Sequence, residues 1–155
     1  MVSVLTPGAL ALIAATCLPP RMVPVILDVI LPGEGGFNTE AVNLNTNGTR
    51  DWGLGQINET NFGWLSVVLG TRVDPHTILE PCLNLRASAA VLFKRYNGSG
   101  PAAERYAAAA MARAYAPATE VASAQPIGRS PPPQEEEDIN DLPADLDIAT
   151  PQGDK

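Results

Sequence analysis

Prolines and glycines fall at the ends of the apolar runs in this sequence, and that punctuation limits the fold more than any other feature. Thr6 followed by Pro7 is an N-cap with a first-turn proline, and Pro19-Pro20 stops the same run after Cys17, which predicts a helix over 7–17. Val23, Ile26, Leu27, Ile30 and Leu31 then follow the i, i+3, i+4, i+7 spacing of one helical face until Pro32 and Gly33 end it. Residues 45–49, "NTNGT", are a turn signal between short alternating runs and predict a small irregular hairpin within 40–58. Helices are predicted over 60–69 and 83–95, the latter carrying Leu85, Ser88, Ala89, Leu92, Phe93 and Tyr96 on one face. "NGSGP" breaks that helix, and an alanine-rich one follows over 102–116. The pieces predict an α+β domain, mostly α, with four or five short helices and one β-hairpin.

Charge divides the chain into two parts. Residues 1–116 hold equal numbers of acidic and basic side chains, whereas 117–155 supply the whole net charge of −7. That second part carries seven of the fifteen prolines and few large apolar groups. Burial cannot offset its ordering entropy, so it reads as a disordered acidic C-terminal tail after a single folded domain. No basic patch with interleaved aromatics occurs, which argues against a nucleic-acid partner. No stretch reaches the ~20 apolar residues of a membrane span. The apolar N-terminal run lacks a positive leading region and a small-residue cleavage site, so the capped first helix is the preferred reading over a signal peptide.

The two cysteines, Cys17 and Cys82, sit beside predicted helices. Their spacing allows two buried thiols or one disulfide tying the first helix to a later one, and the disulfide would imply an oxidising compartment. Neither has a CxxC partner and His76 is the only histidine, so the spacing excludes a metal site. No cofactor is implied. The N-x-S/T triplets at Asn47, Asn58 and Asn97 each fall at a turn, where Asn is favoured for its own backbone chemistry.

Chemistry concentrates between residues 34 and 56. Glu34 follows the end of an apolar helix, where partial desolvation would raise its carboxyl pKa and suit it to general-acid work. Gly35, Gly36, Gly53 and Gly55 would leave room for a bulky polymer to approach the backbone. Gln56 and the nearby Asn side chains offer paired donors and acceptors for sugar hydroxyl and acetamido groups. Phe37, Trp52, Phe62 and Trp64 offer flat faces for sugar rings.

Taken together, "EGGFNTEAVN", "GLGQIN" and "PCLNLRASAAVL" resemble the lytic transglycosylases with a lysozyme-like (goose-type or soluble lytic transglycosylase) fold. The likeness spans about residues 9–115 and is nearest to the small specialised group attached to type IV secretion and conjugation machinery. It implies that Glu34 is the catalytic residue and that Phe37, Asn43, Gly55 and Gln56 line the substrate groove. Gly35 stands where the family has Ser. The family's Tyr-Asn motif is matched by Tyr96-Asn97, with Tyr115-Ala116 as the better-spaced alternative. The implied substrate is peptidoglycan glycan strands, cleaved between N-acetylmuramic acid and N-acetylglucosamine in the periplasm or cell envelope, with the tail free to meet secretion-system components. A hydrolytic lysozyme using Asp51 as second carboxylate, and a non-catalytic wall-binding assembly factor, are the alternatives.

Overall fold

The computed structural model describes residues 4–30 and 37–116, and the side chains of Val29 and Ile30 are not among what it describes. Glu34 with its neighbours 31–36, and the acidic segment 117–155, lie outside the described residues.

Five α-helices and a small antiparallel sheet make up the described part: α1 (Pro7–Cys17), α2 (Val23–Val25), α3 (Phe62–Leu69), α4 (Pro81–Tyr96) and α5 (Gly100–Tyr115). Thr6 Oγ1 accepts from the Ala9 N–H at 3.2 Å and Pro7 occupies the first turn of α1. Pro81 opens α4 in the same way, and both carboxylate oxygens of Glu80 cap it, accepting from the Cys82 and Leu83 N–H groups at 3.0 and 2.7 Å. Helix α4 is the central element. One side of it, including Leu83, Leu85 and Ala87 to Ala90, is buried. Ala103, Ala107, Ala110, Met111 and Ala114 form the buried stripe of α5, small enough for that helix to lie close along α4. Leu10, Ile26, Leu54, Leu65, Ile78 and Leu85 meet in the centre from six separate segments. Each such buried aliphatic side chain contributes about 1.5–3 kcal/mol. Among the described residues no helix is long and apolar enough to cross a membrane.

Two elements differ from the expectation. The helix predicted from Val23 onward is a single α-turn, Val23–Val25, that continues as a π-helical turn over Ile26–Ile30. Pro24 in its first turn leaves little room for a regular α-ladder to become established before the register widens. The expected hairpin is a three-stranded sheet in the order β1 (Val42–Leu44), β2 (Arg50–Trp52), β3 (Ile57–Asn58). "NTNGT" makes the first turn: the Asn45 N–H donates to Thr49 O at 2.8 Å, and Gly48 supplies the positive φ of 83°. "GLGQ" makes the second.

Register sorts the side chains of the sheet. Val42, Trp52 and Ile57 lie opposite one another; Ile57, 3% exposed, and half-buried Trp52 pack on the core, whereas Val42 on the edge strand stays exposed. Asn43, Asp51 and Asn58 form the neighbouring row on the other face. That polar row is what the fold presents outward from the sheet.

A disulfide joins Cys17 at the end of α1 to Cys82 at the start of α4, with Cα atoms 5.3 Å apart across 65 positions of sequence. It ties the first helix to the central one and limits the unfolded chain. Replacing both cysteines by Ser should lower stability by about 3 kcal/mol. Urea unfolding of the two proteins checks this, and an unchanged midpoint would show that the bridge contributes nothing to the fold.

Candidate active site

Gln56 closes the second turn of the sheet. The Gln56 N–H donates to Gly53 O at 3.2 Å, and Gly53 and Gln56 have positive φ of 73° and 47°. For glutamine that conformation costs roughly 1–3 kcal/mol and persists only where the surroundings impose it. Phe37, at φ 61°, is the only other non-glycine residue with positive φ among those described. Both strained positions thus fall in the two motifs that carry the candidate chemistry.

The surroundings that impose the turn come from α4. Asn84, fully buried, accepts from the Gly55 N–H at 2.7 Å through Oδ1. Its Nδ2 donates to Trp52 O at 3.0 Å and to Ile78 O at 2.9 Å. One amide side chain therefore holds both ends of the loop. The two glycines make this approach possible. A Cβ on Gly53 would lie 2.3 Å from Asn84 Nδ2, and one on Gly55 would lie 1.9 Å from Ser88 Oγ. The expectation that Gly53 and Gly55 leave room for a polymer is corrected here. Both are buried, and the close approach they allow is that of α4.

With its backbone fixed, the Gln56 side chain is also fixed. Its Nε2 donates to Gly53 O at 2.7 Å, and its Oε1 accepts from Asn43 Nδ2 on β1. Asn43 and Gln56 are thus brought together as an amide pair at the outer edge of the sheet, with Asn43 exposed and Gln56 half-buried. Each amide keeps an N–H for a ligand, and the Asn43 carbonyl oxygen is an acceptor. Asp51, next to Asn43 on the polar row, accepts from Asn58 Nδ2 at 2.7 Å. Its carboxylate is therefore engaged within the sheet.

The aromatic residues are less open than expected. Phe37 is half-buried against the core, and its carbonyl accepts from the Leu5 N–H at 2.9 Å. Trp52 donates through Nε1 to Glu59 at 3.3 Å and packs tilted against Phe62, with ring centroids 6.5 Å apart. Lys94 Nζ sits 4.7 Å from the ring centroid of Trp64. These contacts tie the rings to the domain itself.

Tyr96 stands at the end of α4, 66% exposed and stacked on Tyr106 at 6.2 Å, and Asn97 is the residue that caps that helix. Tyr115 lies at the end of α5, where its hydroxyl donates to Cys17 O at 3.1 Å and the Arg86 guanidinium lies 5.3 Å over its ring. Burial pushes the Tyr115 hydroxyl pKa up, and Arg86 partly opposes that. Among the described residues, neither tyrosine hydroxyl is hydrogen-bonded to Asn43 or Gln56. Asn84 is the residue of this region that sequence reasoning missed. Its signal was present: two glycines one residue apart, which a nearby polar residue on a small-residue helix face could approach.

The family described as "Transglycosylase SLT domain" matches residues 12–120. Over 67 residues the chain is 36% identical to "Protein IpgF" of Shigella flexneri, a stretch that spans 43% of this chain and 43% of that protein. No solved structure matches the chain significantly.

Proposed function

The chain belongs to the transglycosylase SLT domain family, and on that premise we propose that it is a peptidoglycan lytic transglycosylase with Glu34 as its single catalytic carboxyl group. The observation that carries the proposal is the Asn43–Gln56 amide pair, held by a strained loop that α4 clamps. Such a pair can accept from and donate to an N-acetyl group at one fixed position, which a surface asparagine and glutamine free to rotate would not do.

In this reading Glu34 donates a proton to the glycosidic oxygen as the C1–O bond of N-acetylmuramic acid breaks. The carbonyl oxygen of the sugar's own acetamido group stabilises C1, so no carboxylate nucleophile is required. Glu34, now ionised, accepts the proton of the C6 hydroxyl, and O6 closes on C1. Bonds and protons balance without water, and a 1,6-anhydro ring is the product. Asn43 and Gln56 orient the acetamido group. Gly55 contributes by letting the loop lie on α4. Phe37 and the Tyr96-Asn97 pair would line the remaining groove. The site of action would be the periplasmic cell wall, opened locally for a secretion or conjugation assembly.

The test is mass spectrometry of the fragments released from purified peptidoglycan. Fragments ending in 1,6-anhydro-N-acetylmuramic acid, lighter by one water than hydrolytic products, are expected. Reducing ends would replace the proposal with a hydrolytic lysozyme using Asp51, although the Asn58 bond on Asp51 argues against that role. Absence of any release would leave a wall-binding protein without activity.

A further inference from the structure

A cavity of about 700 Å³ opens between the end of α1, the start of α4 and the end of α5. Arg72, Arg86, Tyr115, Glu80 and both bridged cysteines line it, whereas Asn43 and Gln56 do not. Two arginines and one carboxylate face the space, and that carboxylate is occupied: Glu80 uses both oxygens to cap α4. Arg72 pairs with Asp74 at 2.7 Å but is itself 83% exposed. Arg86 is in a different position. Its guanidinium lies on Tyr115, and its Nε–H is buried with no hydrogen-bond partner among the described residues. That Nε–H is closed to a ligand, but the guanidinium still lines the cavity and carries a full positive charge, which favours a carboxylate accepting from its remaining N–H groups.

Arg72 and Arg86 thus line a cavity beside Tyr115, the last residue of α5 before the chain leaves it at Ala116. The sequence that follows holds nine of the seventeen acidic residues, densest in "EEED" at 135–138. From Ala116 to Glu135 is 19 residues, a reach of up to about 65 Å, so length places no limit on return.

We propose that the Arg86 cavity is a carboxylate-binding site, filled in cis by the acidic run Glu135–Asp138. The tether keeps the run at an effective concentration on the order of millimolar, so that a modest intrinsic affinity gives substantial occupancy. The site is independent of the glycan chemistry and would stand if the enzyme reading failed.

The experiment uses the full chain, with its disulfide intact, carrying a nitroxide on an introduced cysteine at Asn140→Cys. Amide signals of residues 71–77, 82–86 and 113–116 should lose more than half their intensity at low ionic strength. The loss should vanish at about 1 M salt, where the screening length falls to about 3 Å. It should also vanish in the variant Glu135→Gln, Glu136→Gln, Glu137→Gln, Asp138→Asn, whose changes lie outside the described residues. A synthetic peptide of residues 130–142 added to that variant should shift the same amides, whereas acetate at equal carboxylate concentration should do so less. Broadening that is uniform over the domain, centred elsewhere, or unchanged in the neutralised variant would overturn the proposal.

Discussion

Glu34→Gln should reduce the release of glycan fragments about 1,000-fold and leave the melting temperature unchanged. Gln has nearly the shape of Glu and can still hydrogen-bond, but it can neither donate a proton to the leaving oxygen nor accept one from the C6 hydroxyl. Both halves of the proposed reaction use the same carboxyl group, so no second residue can substitute in either half. Asp51→Asn provides the contrast. Under the transglycosylase reading it should alter rate by no more than a few-fold, because the Asp51 carboxylate serves Asn58 within the sheet and the amide retains an acceptor oxygen. Equal loss in both variants would move the chemistry to a two-carboxylate hydrolase. Full activity in Glu34→Gln would remove Glu34 from its role altogether. Rates are best compared on the same peptidoglycan preparation, with circular dichroism melts run in parallel.

Much of the helical framework was legible because prolines mark it. Pro7 and Pro81 each sit in the first turn of the helix they begin, and Pro19-Pro20 ends α1. The apolar positions of α4 and α5 lie on the buried faces their spacing indicated, with the ends of both helices one or two residues from the expected positions. The strand β3 was not legible: it is two residues long, and its turn has no Asn-Gly signal, only two glycines whose purpose depends on a helix 30 residues away. The π turn after Val25 keeps an apolar pattern that a regular helix would also show, so periodicity could not separate them. At the site, chemistry made Gln56 a candidate amide for a sugar and the resemblance added Asn43, both as expectations; their hydrogen bond is a fact of tertiary structure. The glycines misled for a physical reason. A glycine shows that something approaches the backbone closely, but not whether that is a ligand or the protein's own helix. The family resemblance supplied the order of the motifs; only packing shows that α4 holds the second motif in place.

Asn84→Ala should destabilise the protein by about 4 kcal/mol and lower the catalytic rate further than the lost stability alone would. The buried amide of Asn84 satisfies three backbone groups at once, the Gly55 N–H and the carbonyls of Trp52 and Ile78. Alanine removes all three bonds in a place that Asn84 itself, at 0% exposure, shows to be closed to water. Each unsatisfied group costs about 1–3 kcal/mol, and partial relaxation or an entering water reduces the sum. Since total stability is of order 5–15 kcal/mol, the variant should still fold but with a much lower urea midpoint. Asn84→Asp separates hydrogen bonding from volume. It keeps the shape and the acceptor towards Gly55, yet places an oxygen against two carbonyl oxygens and buries an unpaired charge, so it should be at least as damaging as alanine at neutral pH. Ser88→Ala, one turn along the same helix, removes only the Oγ bond to the Asn84 carbonyl and should cost no more than about 1 kcal/mol. In both Asn84 variants the loop that fixes Gln56 in its left-handed conformation loses its clamp, so Gln56 should spend most of its time away from Asn43. Turnover measured well below each variant's melting temperature checks this second effect. A stable Asn84→Ala protein with normal turnover would show that the strained loop keeps its shape without α4, and that the two glycines serve some purpose other than the approach of this helix.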